Sequence, residues 1–165
     1  MVHLNNVGTH VSATIAGKTF GVAKLAKIIA VKTLTQRGGS EETVIKGLEW
    51  VVNDFKSRKT KAIINMSLGG KFSQVLNDAV DAVVQSGIPV IVAAGNSKVD
   101  ACTFSPASLK SVVTVGAVDK LDRKASFSNY GPCIDIHAPG VGIKSAWRGN
   151  GDAKTNTIDG YLLFI

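Results

Sequence analysis

The sequence predicts an α/β fold in which a doubly wound, mainly parallel sheet is flanked by helices. Two largely apolar runs, residues 62–66 and 88–93, lack regular polar alternation, which is typical of strands buried on both faces. Helical periodicity separates these runs, and strands that alternate with helices over short linkers indicate parallel pairing with right-handed crossovers. Seventeen glycines against four prolines suit the tight turns that such a fold requires.

Three stretches have the features of helices. Residues 8–17 are mostly small and end at a glycine. Ser40 is a candidate N-cap for a second helix, and residues 73–85 predict a third that a glycine ends. The apolar positions that place the last two helices are Val44, Leu48, Val51 and Phe55 in the second and Leu76, Val80, Val83 and Val84 in the third.

Further strands are predicted at residues 26–31, 112–116 and 133–136. The first of these is apolar apart from Lys27, and we expect it to be a buried strand. Residues 127–132 and 138–140 contain the glycine, proline and asparagine typical of turns. No internal repeat or domain boundary is evident, and 165 residues are enough for one domain with a sizeable core.

The formal net charge is +7, yet the basic residues do not indicate a nucleic-acid site. Ten of the nineteen lysines and arginines lie between Lys18 and Lys61, mostly one at a time among apolar residues, and no basic run is interleaved with aromatic side chains. No apolar run reaches the roughly 18 residues of a membrane span, and the first residues lack the features of a signal peptide. We therefore expect no nucleic-acid partner, no membrane association and a monomer.

Metal and phosphate chemistry find little support in the sequence. The three histidines, His3, His10 and His137, are scattered, and there is no Cys-x-x-Cys pair, which argues against zinc. Residues 140–145 loosely resemble a phosphate-binding loop but lack its spacing and its strand-to-helix context. The two cysteines could be separate buried thiols or one disulfide, and sequence separation does not decide between them.

The run 88–93 ends in a segment of small residues that carries one amide side chain, Asn96. In open α/β sheets, sites are built at the carboxyl ends of strands. Asn96 has two interpretations: a turn residue in the left-handed conformation, which asparagine tolerates, or a side-chain donor of an oxyanion hole. The residues alone leave these two interpretations about even.

Six ordered segments of the chain resemble consecutive blocks of subtilisin-like serine proteases (subtilases), most closely those of the proteinase K branch. Residues 8–17 also resemble the block around the family's catalytic histidine. The similarity covers nearly the whole chain and implies a single, partial peptidase domain over residues 1–165, truncated at both ends, with a divergent tail at 161–165. The six segments are residues 65–70, 93–97, 102–108, 113–117, 125–131 and 136–140.

The resemblance implies roles for residues at the two strand ends. Asn96 matches the side-chain donor of the oxyanion hole. The segment after residue 66 matches an edge strand that pairs with an extended peptide substrate, and the segment before Asn96 matches a wall of the substrate side-chain pocket. The substrate-binding residues implied in this way are Ser67, Leu68, Gly69, Gly70, Ala93, Ala94 and Gly95.

The resemblance also implies two structural features. Cys102 and Cys133 match a pair that is disulfide-bonded in some members of the family. Asp135, with the carbonyls of Lys110 and Val112, matches a calcium site of the proteinase K branch, although only one carboxylate is present. No cofactor is required by the implied chemistry, so calcium would have a structural role.

The catalytic triad is where the resemblance fails. Val7 occupies the position of the catalytic histidine, and His10 matches a second histidine that is not the base. Leu162 occupies the position of the nucleophilic serine, and the family's aspartate lies before the first residue of this chain. Neither valine nor leucine can exchange a proton or attack a carbonyl, so we expect this chain to lack triad hydrolysis.

Two alternatives to an inactive protease fragment remain. The chain could be a non-catalytic, peptide-binding pseudoprotease, or a non-functional fragment that does not fold. Members of the family are secreted or vacuolar, but without a signal peptide the compartment of this chain is unknown.

Overall fold

The computed structural model describes residues 4–35, 38–149 and 153–160. Within these ranges the chain forms three α-helices, a short 3₁₀ turn at Ala101–Thr103 and eight strands. The helices are α1 (Leu4–Ala16), α2 (Glu41–Arg58) and α3 (Gln74–Gln85). The strands are β1 (Ile64–Met66), β2 (Gly70–Lys71), β3 (Val90–Ala93), β4 (Phe104–Ser105), β5 (Val113–Val118), β6 (Ile136–Pro139), β7 (Ile143–Arg148) and β8 (Ala153–Ile158).

The main sheet has four strands in the order β1-β3-β5-β6, and every neighbouring pair is parallel. Its register aligns Ile64 with Val90 and Ile91 with Val113. Two antiparallel pairs accompany it, β2 with β4 and β7 with β8. The predicted α/β class with a mainly parallel sheet and flanking helices is confirmed.

Helices α2 and α3 share one core with the sheet. Val90 and Val92 of β3 are 2% exposed and pack in the same apolar cluster as Val44, Leu48 and residues of α3. Because successive side chains of a strand point to opposite faces, Ile91 and Ala93 lie on the other face, where they are half-buried. The strand is therefore fully buried on its helix-covered face and half-buried on the opposite one.

Local signals place α2 and α3 correctly. The Ser40 side chain accepts a hydrogen bond from the Thr43 N–H at 3.2 Å, and the Ser73 side chain accepts one from the Leu76 N–H at 3.3 Å. Each serine thereby satisfies one of the N–H groups that have no partner within the first turn of a helix. Both predicted helix starts are confirmed.

Helix α1 packs against strand β7 through polar groups. His10 is fully buried, and its Nε2 donates to the carbonyl of Ile143 at 2.9 Å. Ser145 donates to the carbonyl of His10 at 2.9 Å, and Thr14 donates to the Ser145 hydroxyl at 2.7 Å. These bonds join residues more than 130 positions apart, so the β7–β8 hairpin holds α1 in place.

Two strand predictions are wrong. Residues 26–31 form no strand and are exposed, and the neighbouring Leu25 is 99% exposed. Among the described residues the main sheet ends at β1, and residues 26–31 do not pair with it, so apolar composition alone did not determine a strand here. Residues 133–135 form no strand either; the strand starts at Ile136, and it continues to Pro139 where a turn was predicted. Proline is tolerated there because β6 is an edge strand.

No described helix combines the length and the apolar character that a membrane crossing requires.

Candidate functional site

The carboxyl ends of β1 and β3 meet at one edge of the sheet because these neighbouring strands are parallel. The segment after β1 contains the implied peptide-binding residues, and the segment after β3 contains Asn96. The Nδ2 atom of Asn65, in β1, donates to the Ser67 hydroxyl at 2.9 Å, which fixes the start of the first segment. The fold therefore places both implied site segments at the edge where α/β proteins bind ligands.

The segment after β1 presents mainly backbone. Ser67 and Leu68 are half-buried, and Leu68 packs against the core, whereas Gly69 and Gly70 are exposed. A Cβ atom on Gly69 would lie 3.0 Å from the carbonyl oxygen of Ser105, so this glycine permits a close approach of two backbones. Exposed glycine backbone is the kind of surface that can pair with an extended chain.

The segment after β3 is small and tightly fixed. The Ala94 N–H donates to the Val115 carbonyl at 2.9 Å, and Ala94 is fully buried. Gly95 has φ +100°, a conformation that L side chains rarely adopt, and a Cβ atom there would lie 2.5 Å from Nδ2 of Asn129. Ala93, Ala94 and Gly95 thus form a wall without bulky side chains next to Asn96.

Asn96 is exposed at the end of this wall, and its side-chain amide acts as a donor. Its Nδ2 donates to the carbonyl oxygen of Gly160 at 2.5 Å. The Gly160 N–H in turn donates to the Gly140 carbonyl at 2.8 Å, which fixes the segment after β8. The amide of Asn96 therefore points toward the segment that leads to position 162. Leu162 itself, with the predicted divergent tail 161–165, lies outside the described residues.

The position that the resemblance assigns to the catalytic histidine lies in α1. Val7 is an apolar side chain, 7% exposed, with no group that can accept a proton. His10, one helical turn later, is fully buried with Nε2 engaged by Ile143, and its Nδ1 has no partner among the described groups. The imidazole of His10 therefore serves to dock α1 and has no solvent-facing edge.

Cys102 and Cys133 form a disulfide, as the resemblance implied. Their Cα atoms are 5.3 Å apart, and the bond joins positions separated by 31 residues. One cysteine lies in the 3₁₀ turn after the Asn96 segment, and the other precedes β6. The bond closes a loop that contains β5 and the turn at residues 127–132.

Asp135 is fixed beside the start of β5. Its Oδ2 accepts from the Thr114 N–H at 2.7 Å, and its own N–H donates to the Thr114 carbonyl at 2.9 Å. Carboxylate and carbonyl oxygens are ligand types that calcium takes, but no group of three metal-ligating side chains occurs within the described ranges. A calcium ion here would depend on one carboxylate, backbone carbonyls and water.

A second loop aspartate, Asp119, caps a turn. Its carboxylate accepts from the Arg123 guanidinium and from the Leu121 N–H, and these hydrogen bonds lower the pKa of Asp119 below its ordinary value. Such hydrogen bonds stabilise the charged form of the carboxylate, so Asp119 has a structural role in the turn after β5.

Sequence reasoning missed the residue that organises the Asn96 segment, Asn129. It is fully buried and hydrogen-bonds to Ala94, Ser97 and Val99. The sequence marked its surroundings only as a turn, because asparagine close to a glycine and a proline is typical of turns whether it is exposed or buried. No local signal distinguishes those two cases.

The parallel sheet, the two segments at its strand ends and the disulfide agree with what is expected of a subtilisin-like protease domain. The chain belongs to the subtilase family, whose model matches residues 3–161. It is 51% identical over 155 residues to alkaline protease 1 of Aspergillus clavatus and 48% identical over 157 residues to a cuticle-degrading serine protease of Arthrobotrys oligospora. These alignments cover 93% and 94% of this chain but 38% of each relative's length.

A solved structure agrees with this assignment. The crystal structure of a cold-adapted subtilisin-like serine proteinase superposes with a TM-score of 0.85 at 45% identity, over 94% of this chain and 55% of that one. The chain thus spans little more than half of that protein and well under half of the curated relatives. The predicted family is confirmed, and the family acts on peptide or protein substrates.

Proposed function

We propose that this chain carries the oxyanion donor and the peptide-binding strand ends of a subtilisin-like serine endopeptidase domain, and that it does not itself hydrolyse peptides by the triad mechanism. The observation that carries this proposal is Val7, a buried valine in α1 at the position that matches the family's catalytic base. Leu162, at the position of the nucleophile, supports the same conclusion from the sequence.

The chemistry explains why these two substitutions are decisive. In the triad mechanism a histidine removes the serine proton while the oxygen attacks the carbonyl, and it later protonates the leaving amine. A valine performs neither transfer, and a leucine forms no acyl intermediate. Asn96 alone can stabilise a developing oxyanion, which is worth about 2.7–4 kcal/mol in a complete active site. That contribution needs a reacting oxygen, which no group at positions 7 and 162 can generate.

Binding of an extended peptide without cleavage is the part of the function that the remaining residues support. Exposed backbone at Gly69 and Gly70 can form β-type hydrogen bonds, and the small residues 93–95 leave room for a substrate side chain. We propose a monomer with an extended peptide as its partner and with no nucleic-acid or membrane partner. A chain that binds an extended peptide in this way and does not cleave it would act as a pseudoprotease.

Calorimetric titration tests the binding. A reversible, extended peptide inhibitor of the family should give a saturable heat, and the same peptide N-methylated at alternate residues should bind at least about tenfold more weakly. N-methylation removes the backbone donors that pair with the strand, each worth roughly 0.5–1.5 kcal/mol. Absence of heat from the unmodified peptide, or equal affinity for the methylated one, would remove peptide binding from the proposal.

Calcium at Asp135 is a separate proposal. We propose that its carboxylate, with the carbonyls of Lys110 and Val112, holds a weak structural calcium ion, whose affinity the single carboxylate limits. At about 10 mM calcium, a site with a Kd of roughly 10⁻⁴–10⁻³ M should stabilise the fold by about 1–3 kcal/mol. Thermal melts with calcium and with chelator measure this effect. Asp135→Asn should abolish it, and an equal calcium response in that variant would refute the site.

A further inference from the structure

The loop that carries Asn96 is held by another segment of the chain. Residues 94–99 leave β3 and follow an irregular path to the 3₁₀ turn. Their hydrogen bonds come mainly from residues 127–130: the Lys98 N–H donates to the Phe127 carbonyl at 3.0 Å, and the Tyr130 N–H donates to the Val99 carbonyl at 3.0 Å. The position of Asn96 is therefore determined by contacts more than 25 residues away in the sequence.

Asn129 makes the central contacts of this arrangement. Its Nδ2 donates to the Ala94 carbonyl at 2.7 Å. Its Oδ1 accepts from the Ser97 N–H at 2.9 Å and from the Val99 N–H at 3.2 Å. One side-chain amide thus fixes the backbone on both sides of Asn96: two residues before it, and one and three residues after it.

Few side chains could replace this amide. The site needs a donor at one end for a carbonyl and an acceptor at the other end for two N–H groups, which an asparagine side chain supplies within a single planar group. Aspartate supplies the acceptor but lacks the donor, and leucine has the shape but neither function. Gly95 completes the fit, because a Cβ atom there would lie 2.5 Å from Nδ2 of Asn129.

We propose that Asn129 is a positioning residue for the oxyanion donor: its hydrogen bonds to Ala94, Ser97 and Val99 set the direction in which the Asn96 amide donates. The inference rests on the proposed function only in naming Asn96 as that donor. A donor for an oxyanion must be held within about half an ångström of its productive position, so the group that fixes the flanking backbone fixes the donor.

The bond from Asn96 Nδ2 to the Gly160 carbonyl provides a readout that needs no substrate. In the ¹⁵N-labelled full chain, NMR reports the chemical shift and the hydrogen exchange of the Asn96 side-chain amide. Asn129→Asp keeps the acceptor bonds to Ser97 and Val99 but loses the donor to Ala94. We expect this variant to accelerate exchange of the Asn96 amide protons at least about tenfold and to shift their resonances toward those of a solvated amide.

The matched control is Asn77→Asp. Asn77 is also buried, at 5% exposure, and its Nδ2 also donates a hydrogen bond, at 3.0 Å to the hydroxyl of Ser108. It lies in α3 and makes no hydrogen bond to residues 94–99. This variant should leave the Asn96 amide unchanged. An unchanged Asn96 signal in folded Asn129→Asp, or equal changes in both variants, would overturn the proposal.

A second pair keeps the test valid if Asn129→Asp does not fold. Gly95 and Gly87 have similar positive φ values, +100° and +93°, so alanine strains the backbone comparably at both. Only Gly95→Ala pushes against the Asn129 amide, so only this variant should accelerate exchange of the Asn96 side-chain amide protons, which reports the bond to Gly160. Equal exchange rates of these protons in the two variants would contradict the positioning role. Neither pair uses a peptide or a cleavage reaction, so failure of the proposed function leaves this result interpretable.

Discussion

Incubated with a peptide p-nitroanilide, this chain is expected to release product at least about 10⁶-fold more slowly than a complete relative such as alkaline protease 1 of Aspergillus clavatus. Loss of the nucleophile or of the base alone costs a triad protease about this factor, and the effects of the two losses do not add, because the groups act as one unit. Under the proposed assignment, Val7 and Leu162 stand at the positions of the base and the nucleophile, so both groups are missing here. The residual rate of p-nitroanilide hydrolysis is therefore expected to be that of a substrate bound in a cleft that has no nucleophile.

The remaining polar groups do not compensate for this loss. Asn96 can donate to an oxyanion, but without the serine and the histidine an oxyanion forms only through the slow attack of water. His10 is fully buried and donates from Nε2 to Ile143, so it has no route to an attacking hydroxyl or water. An enzyme that lacks its triad keeps at most about 10³–10⁴-fold acceleration over water, and only where binding and the oxyanion hole are intact.

The measurement combines turnover with active-site labelling. Intact-mass spectrometry after treatment with a fluorophosphonate should show no adduct on this chain, whereas the active relative is labelled and inhibited. Asn96→Ala serves as the internal control, since it should leave the background rate unchanged here, although it would cost a complete enzyme about 10²–10³-fold. Cleavage that the fluorophosphonate abolishes, with the probe attached to this chain, would disprove the proposed lack of triad hydrolysis.

How far the sequence predicts the structure depends on whether the determining contacts are local. Ser40 caps α2 as predicted, and α3 begins where it was predicted, with Ser73 as its cap, because a cap depends on residues two or three positions away. Residues 26–31 were predicted as a strand from composition, but a strand also needs a neighbour, and composition does not supply one. The β7–β8 hairpin was missed for a related reason: its contacts with α1 are made by His10, Thr14 and Ser145, which are polar residues without apolar periodicity.

The candidate site, too, has features that follow from local sequence and features that depend on distant contacts. The resemblance assigned the proposed oxyanion donor to Asn96 and the position of the base to Val7, since each motif is a short run of residues. Asn129 was not found, because its role comes from three backbone groups of a distant loop. The sequence contains the asparagine, and only the tertiary fold determines that it is buried and what it binds.

Removal of the Cys102–Cys133 disulfide is expected to lower the free energy of unfolding by about 3–4 kcal/mol. The bond joins positions 31 residues apart, and in the chain-entropy model a loop of this size restricts the unfolded chain by about that amount. Domains are typically stable by only about 5–15 kcal/mol, so the loss is a large share of the total. Removal of the disulfide should also affect the candidate functional site, because the loop that the disulfide closes contains Asn129.

Urea unfolding followed by circular dichroism measures the change in the oxidised protein, in the reduced protein and in a Cys102→Ser/Cys133→Ser variant. The variant should unfold at the midpoint of the reduced protein and should not respond to reductant, which separates loss of the bond from other effects of the reagent. Equal midpoints for oxidised and reduced protein would contradict the prediction.

A cooperative transition in the oxidised chain would also exclude the unfolded-fragment hypothesis, because a chain without a core has no sheet that could unfold in one step. Reduction should then weaken the attachment of residues 94–99 to residues 127–130, so the Asn96 amide should exchange faster in the reduced protein even before the sheet unfolds.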